Sequence, residues 1–234
     1  LYYPHTWLRP RCDTDVYIDE PDKKRAMQLL RDNDYNVGGQ LNRKYSSKQF
    51  AAGINTFQNI FSHFDVHWKL SNRVLFQTTL PFEDCLHDSQ AVPALGENAR
   101  SLSKVDLMLH ACIHRIAHGR GTERNRLIWL YDIHLLLQAM DDAERAYFHK
   151  KALDKKIGAL CADAITKSTE LFQAAGAVTD RDYLLFQSLS KNANQEPTAR
   201  LIEASKPRWL IADWWAVPGI KNKIAYAQEV LLDR

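Results

Sequence analysis

Hydrophobic and polar positions alternate most clearly between Asn59 and Leu70, where Phe61, Phe64, Val66, Trp68 and Leu70 are interleaved with His63, Asp65, His67 and Lys69. A period of two belongs to a strand, whose successive side chains point to opposite faces. One face is apolar and predicted to pack on a core, while the other lines up Asp65, His67 and Lys69. Arg11 to Asp19 also reads as a strand, with Asp13 and Asp15 on one face and Cys12, Thr14, Val16 and Ile18 on the other. Between the two, Glu20-Pro21-Asp22 marks a helix start with proline in the first turn, followed by Ala26, Met27, Leu29 and Leu30 at helical spacing. Tyr35 to Val37 predicts a second short strand and Gly38-Gly39 a turn, whereas Ser46 to Asn55 has no decisive period.

Val74 to Leu86 predicts a helical segment, and Ala91 to Leu102 a small hairpin around Gly96-Glu97-Asn98. Ser103-Lys104-Val105-Asp106 then resembles a capping box ahead of an apolar run. From there the period is helical, over 104–118, 125–140, 142–152, 156–175 and 180–191, with less regular pieces from Pro197. Breaks are expected at Gly119-Arg120-Gly121, near Gly176, at Pro207 and at Pro218-Gly219. The change at 103 predicts two domains, 1–102 and an α-helical 103–234.

Composition narrows the class only a little. With 31 Lys and Arg against 28 Asp and Glu, the net charge of +3 permits a phosphorylated ligand without demanding nucleic acid. Cys12, Cys85, Cys112 and Cys161 form no Cys-x-x-Cys pair, so neither a zinc ribbon nor a disulfide framework is indicated, and a cytoplasmic location is expected. No apolar run approaches the roughly 20 residues of a membrane span. The chain opens on Leu1 rather than Met, which predicts further residues upstream.

Two carboxylates on one strand face repel unless something positive lies between them, so Asp13 and Asp15 are candidate ligands of a divalent cation; a solvated edge strand would carry the same pair. Arg9 and Arg11 alongside read either as ion-pair partners or as phosphate ligands. Asp65, His67 and Lys69 offer a third side to such a site. His110, His114 and His118 recur every four residues along one side of a helix, as a metal or phosphate-contacting column or as a half-buried face of hydrogen-bonded imidazoles. Asp132, an acid within the apolar Trp129-Leu130-Tyr131-Asp132-Ile133, needs a partner, for which a histidine of the preceding helix or Arg126 is available. His87-Asp88 is read as chance, and Trp209, Trp214 and Trp215 as packing residues. There is no Gly-x-Ser-x-Gly elbow and no Gly-x-Gly-x-x-Gly or Walker loop.

Taken in order, Leu8-Arg9-Pro10, Asp13-Thr14-Asp15-Val16-Tyr17-Ile18, Asp65-Val66-His67-Trp68-Lys69-Leu70, Leu107 to His114 with His118, and Trp129 to Ile133 resemble the uncharacterised bacterial nucleotidyltransferase family within the DNA polymerase β-like superfamily. The resemblance covers roughly 1–175. It implies an α+β fold, a small mixed β-sheet nucleotidyltransferase domain followed by an α-helical domain, with a nucleoside triphosphate bound between them. It also implies that Asp13, Asp15 and Asp65 hold magnesium or manganese ions in a two-metal in-line displacement. Arg9, Arg11 and Lys69 become phosphate-neutralising residues and His67 a neighbour of the third acid, while His114, His118, Arg126 and Asp132 face the nucleotide from the helical side. The superfamily's opening helix and Gly-Ser or Gly-Gly turn are not found ahead of Asp13, so the N-terminal part is expected to be truncated. The expected reaction moves a nucleoside monophosphate to a hydroxyl of an acceptor, which could be a small molecule, peptide, protein or RNA. A nucleotide-binding or regulatory module without turnover is the alternative, and a helical metal phosphohydrolase using His114, His118 and Asp132 a third.

Overall fold

A computed structural model describes residues 2–10, 13–38, 44–45, 47–55, 61–118, 121–172, 187–191 and 195–231, with the backbone alone at 6, 55, 61, 62, 121 and 122. In chain order the elements are β1 (Thr14–Tyr17), α1 (Lys23–Asp32), β2 (Asn36–Gly38), β3 (Gln49–Asn55), β4 (Phe61–His67), α2 (Phe82–Asp88), β5 (Gln90–Ala91), β6 (Arg100–Ser101), α3 (Lys104–His118), α4 (Leu127–Ala139), α5 (Asp142–Asp154), α6 (Gly158–Phe172), α7 (Lys206–Ala216) and α8 (Ile220–Leu231). The architecture is α+β, a small mixed sheet followed by helices. Two compact units emerge, Leu1–Arg9 with Asp88–Leu210, and Pro10–His87 with Ile211–Arg234. The sequence-based division at 102/103 runs differently, since here nine opening residues join the helical unit and the last helical stretch joins the sheet unit.

In the sheet unit the strand order is β1-β4-β3-β2, with β1 parallel to β4 and the other two pairings antiparallel. Alternation sorts the residues between two faces. Phe50, Ala52, Val66 and Trp68 are buried with Met27, and Val16, Ile18, Ala26, Leu30, Val37 and Phe64 pack against them, so α1 covers one face. Burial of that stripe holds the sheet, at roughly 1.5–3 kcal/mol for each large side chain fully removed from water. The opposite face carries Asp15 and Tyr17 of β1, His63, Asp65 and His67 of β4, and Gln49, Ala51 and Gly53 of β3. The strand ends at His67, so Lys69 lies in the bend beyond it rather than third in a row.

A second cluster in the same unit joins Tyr45 to Val217 and Tyr226 from the C-terminal stretch. Buried Asp213 of α7 accepts the Leu75 backbone N–H at 3.1 Å and pairs with Arg73 at 3.2 Å. Pro207 does not interrupt the chain as expected; it stands in the first turn of α7, where its missing N–H has no helical acceptor to lose. The Val74 to Leu86 segment is also not one helix. A 3-10 turn at Val74–Phe76 and α2 are separated by residues that include Pro81, just ahead of α2.

The helical unit is built on α3, which packs against α4, α5 and α6. Met108, Leu109, Cys112 and Ile116 of α3, Leu130 and Ile133 of α4, Phe148 of α5 and Leu160, Cys161 and Ile165 of α6 form its interior. Ser103 caps α3 as its sequence suggested, its hydroxyl accepting the Asp106 N–H at 3.1 Å and donating to the Asp106 carboxylate at 2.9 Å. Among the described residues no helix is long and apolar enough to cross a membrane. The expected turn at Gly39, the break at Gly119-Arg120, the break near Gly176 and the helix over 180–186 lie outside the described residues.

Candidate functional site

Parallel pairing of β1 with β4 sets Asp15 opposite Asp65 and Tyr17 opposite His67. Because both strands alternate in step, Asp15, Asp65 and His67 emerge on the one face that α1 leaves uncovered. Each offers a ligand atom, and the three atoms lie within 4.8 Å of one another. Among the described residues this is the only group of three or more His, Cys, Asp or Glu side chains so placed. His67 Nε2 donates to Asp15 Oδ1 at 2.8 Å, with the imidazole largely buried and the Asp15 side chain 68% exposed.

Asp65 is half-buried, and Gln49 Nε2 donates to its Oδ2 at 2.9 Å. Burial, first, and then the charge of Asp13 push its carboxyl above the ordinary range; Asp15 adds to this, while His67 and the Gln49 hydrogen bond oppose it. A carboxylate made costly by burial and by like charges is stabilised by any cation that joins it. Two carboxylates and an imidazole are hard and borderline donors of the kind that bind divalent ions, so the residues present fit such a group. Asp13 stands immediately before β1 and is exposed; its charge reaches Asp65, but it is not one of the three converging ligands.

The remaining candidates divide between the two units. Lys69, in the sheet unit, pairs with Glu20 at 3.6 Å. Arg9 belongs to the helical unit, where its guanidinium forks onto Asp132, with Nε to Oδ1 and Nη2 to Oδ2 both at 3.1 Å. Tyr3 donates to the same carboxylate at 2.6 Å. The partners of Asp132 are thus Arg9 and Tyr3 from the opening segment, more than 120 positions away, and not Arg126. Arg126 instead lies over the Trp129 ring at 5.0 Å. His114 stacks on His118 with centroids 4.4 Å apart and meets Trp129 edge-on. His114, His118 and Asp132 are not among the groups able to share an ion, which removes the motive for a helical phosphohydrolase. Asp88 of the His87-Asp88 pair is bound by Lys151 at 3.0 Å and Tyr147 at 2.8 Å. Arg11 lies outside the described residues.

Gln49 escaped the sequence reading. It lies in the stretch without a decisive period, and only the register Gln49 to His67 and Ala51 to Asp65 reveals that it flanks the acids.

Neither the curated proteins nor the solved structures include a match to this chain. A family model described as an uncharacterised nucleotidyltransferase matches residues 1–173, and that description gives the general kind of reaction and implies a nucleotide substrate. The match takes in the sheet that carries Asp15, Asp65 and His67 as well as α3 to α6, well over half of the chain, and the protein therefore belongs to the uncharacterised nucleotidyltransferase family.

Proposed function

We propose that Asp15 and Asp65, with Asp13 beside them, hold Mg²⁺ or Mn²⁺, and that the protein transfers a nucleoside monophosphate from a nucleoside triphosphate to a hydroxyl of an acceptor. The observation that carries this reading is the convergence of Asp15, Asp65 and His67 on the sheet face opposite α1. When bound, the metal supplies charge neutralisation for the triphosphate and the leaving pyrophosphate and acidifies the attacking hydroxyl. The chain's own residues set the stage for that chemistry. Asp15 and Asp65 provide the anionic oxygens, held on adjacent strands whose register is pinned by the buried face beneath them. His67 orients Asp15 through its hydrogen bond. Asp13 extends the anionic edge at the start of β1. Lys69 is the phosphate-side cation: its pairing with Glu20 is long and partly exposed, of the kind worth at most about 1 kcal/mol, and so is readily exchanged for a phosphate oxygen. In this reading Arg9 is structural, because its fork is occupied by Asp132.

The test uses triphosphates labelled at the α or the γ phosphorus, offered with Mg²⁺ and pools of small molecules, peptides and RNA. The α label should pass to an acceptor while the γ label leaves as pyrophosphate, and Asp65→Asn should abolish both. Transfer of the γ label, or undiminished α transfer by Asp65→Asn, would refute the reading.

A further inference from the structure

Behind Asp65 runs a line of side-chain amides that ends at the backbone. The Lys48 N–H donates to Asn72 Oδ1 at 2.8 Å, Asn72 Nδ2 donates to Gln49 Oε1 at 3.0 Å, and Gln49 Nε2 donates to Asp65 Oδ2 at 2.9 Å. The polarity of this line is not arbitrary. A backbone N–H can only donate, so Asn72 must turn its oxygen toward Lys48 and its NH₂ toward Gln49. Gln49 must then accept with its oxygen and present its own NH₂ to Asp65. The chain therefore delivers a donor, never an acceptor, to the carboxylate, which is what an ionised Asp65 requires. The line is anchored at its far end as well, since the Trp68 N–H donates to the Lys48 carbonyl at 3.0 Å, tying the start of β3 to the end of β4.

We infer that Gln49 and Asn72 are positioning residues: they fix one oxygen of Asp65 and so set the direction in which its carboxylate meets a divalent cation. This rests on the proposed cation site. Asn72 lies beyond β4, and among the described residues its hydrogen bond toward the site is the one to Gln49. Outer partners of this kind commonly govern metal affinity as strongly as a weak ligand does.

The decisive variant is Asn72→Asp, which keeps shape and keeps an acceptor for the Lys48 N–H but cannot donate to Gln49. The Gln49 amide then turns to donate to the new carboxylate, and its oxygen faces Asp65. The added negative charge would by itself favour a cation, so a loss of affinity reports orientation and not charge. Gln49→Met, of similar length and without polar atoms, removes the bond to Asp65 outright and serves if Asn72→Asp does not fold. Mn²⁺ alone is titrated into each protein at fixed neutral pH, with binding followed by calorimetry and the bound ion by its electron paramagnetic resonance spectrum. Both variants should bind Mn²⁺ about 10–100-fold more weakly than wild type, with an altered spectrum of the bound ion. Unchanged affinity and spectrum in a folded variant would overturn the relay. Asp65→Asn separates the two ideas: if it abolishes Mn²⁺ binding while the relay variants bind Mn²⁺ as wild type does, only the relay falls, and if it leaves binding intact, the cation site itself falls.

Discussion

At the scale of single residues, the helical unit contains an ion pair whose rupture has a calculable sign. Lys151 Nζ lies 2.7 Å from Asp106 Oδ1 and 3.0 Å from Asp88 Oδ2, with the Asp106 side chain wholly buried. Burial alone would pull the Lys151 ammonium down, but the bonds to Asp106 and then Asp88 carry it above the ordinary lysine range. Lys151→Met strands a buried carboxylate and should cost about 3–5 kcal/mol in denaturant unfolding. A lysine raised in the folded state contributes stability that is complete below its unfolded value of about 10.4 and is lost only as pH rises through the folded one. The wild type should therefore keep the contribution of the Lys151 charge up to about pH 9 and lose it only in stronger alkali, read as unfolding stability against pH. The double change Asp106→Leu with Lys151→Met should recover much of the loss, because no charge is left unpaired. Site residues differed in how far the sequence exposed them. Asp65 and His67 were legible because alternation with Phe64, Val66 and Trp68 fixed their face. Gln49 and Asn72 were not, since an uncharged amide carries no periodic signal and its partner is set by strand register and by a bend after β4. The partner of Asp132 was hidden for a similar reason: Arg9 is 123 positions away in the chain.

Elements were the most legible scale. The apolar period located α1, α3, α4 and α5 to within a few residues, and the hairpin of β5 and β6 followed from its turn residues. The errors lie where local chemistry has two meanings. Proline ends a helix from within but starts one from its first turn, and Pro207 does the second. Trp209 is buried as a packing residue should be, yet Trp215 on the same helix is 67% exposed, so spacing alone did not sort the tryptophans. A full capping box begins α5, with Asp141 Oδ1 accepting from the Glu144 N–H and Glu144 Oε2 accepting from the Asp141 N–H, both at 2.9 Å. Asp141→Ala should destabilise the protein by about 1 kcal/mol in thermal or denaturant unfolding, while Asp141→Ser should restore most of it. An Asp141→Ala protein as stable as wild type would show that this helix start is held by tertiary packing instead.

At the scale of the whole molecule, the least legible fact was that Ile211–Arg234, the second half of α7 together with α8, belongs to the unit of the sheet. The link runs through Tyr45, whose hydroxyl donates to Asn222 across 177 positions, and through Asp213 beneath Leu75. No local pattern announces such a partnership. Removing residues from 211 onward should expose Tyr45, strip Leu75 of its acceptor and loosen β2 to β4 together. Hydrogen exchange should show those strands losing protection, with the unfolding midpoint lowered by on the order of 10 °C, given roughly 2–4 °C for each kcal/mol in a chain of this size. Protection unchanged in β2 to β4 would mean that α7 and α8 merely adjoin the sheet. The sheet unit matters because its register alone brings Asp15 and Asp65 side by side with His67, in a chain of the nucleotidyltransferase family. The most direct measurement of that claim is a Mn²⁺ titration of wild type and Asp65→Asn followed by electron paramagnetic resonance. The wild type should bind Mn²⁺ saturably and Asp65→Asn should lose more than about 100-fold in affinity, beyond what loss of a hydrogen bond behind a ligand produces; equal binding by the two proteins would show that Asp65 holds no cation.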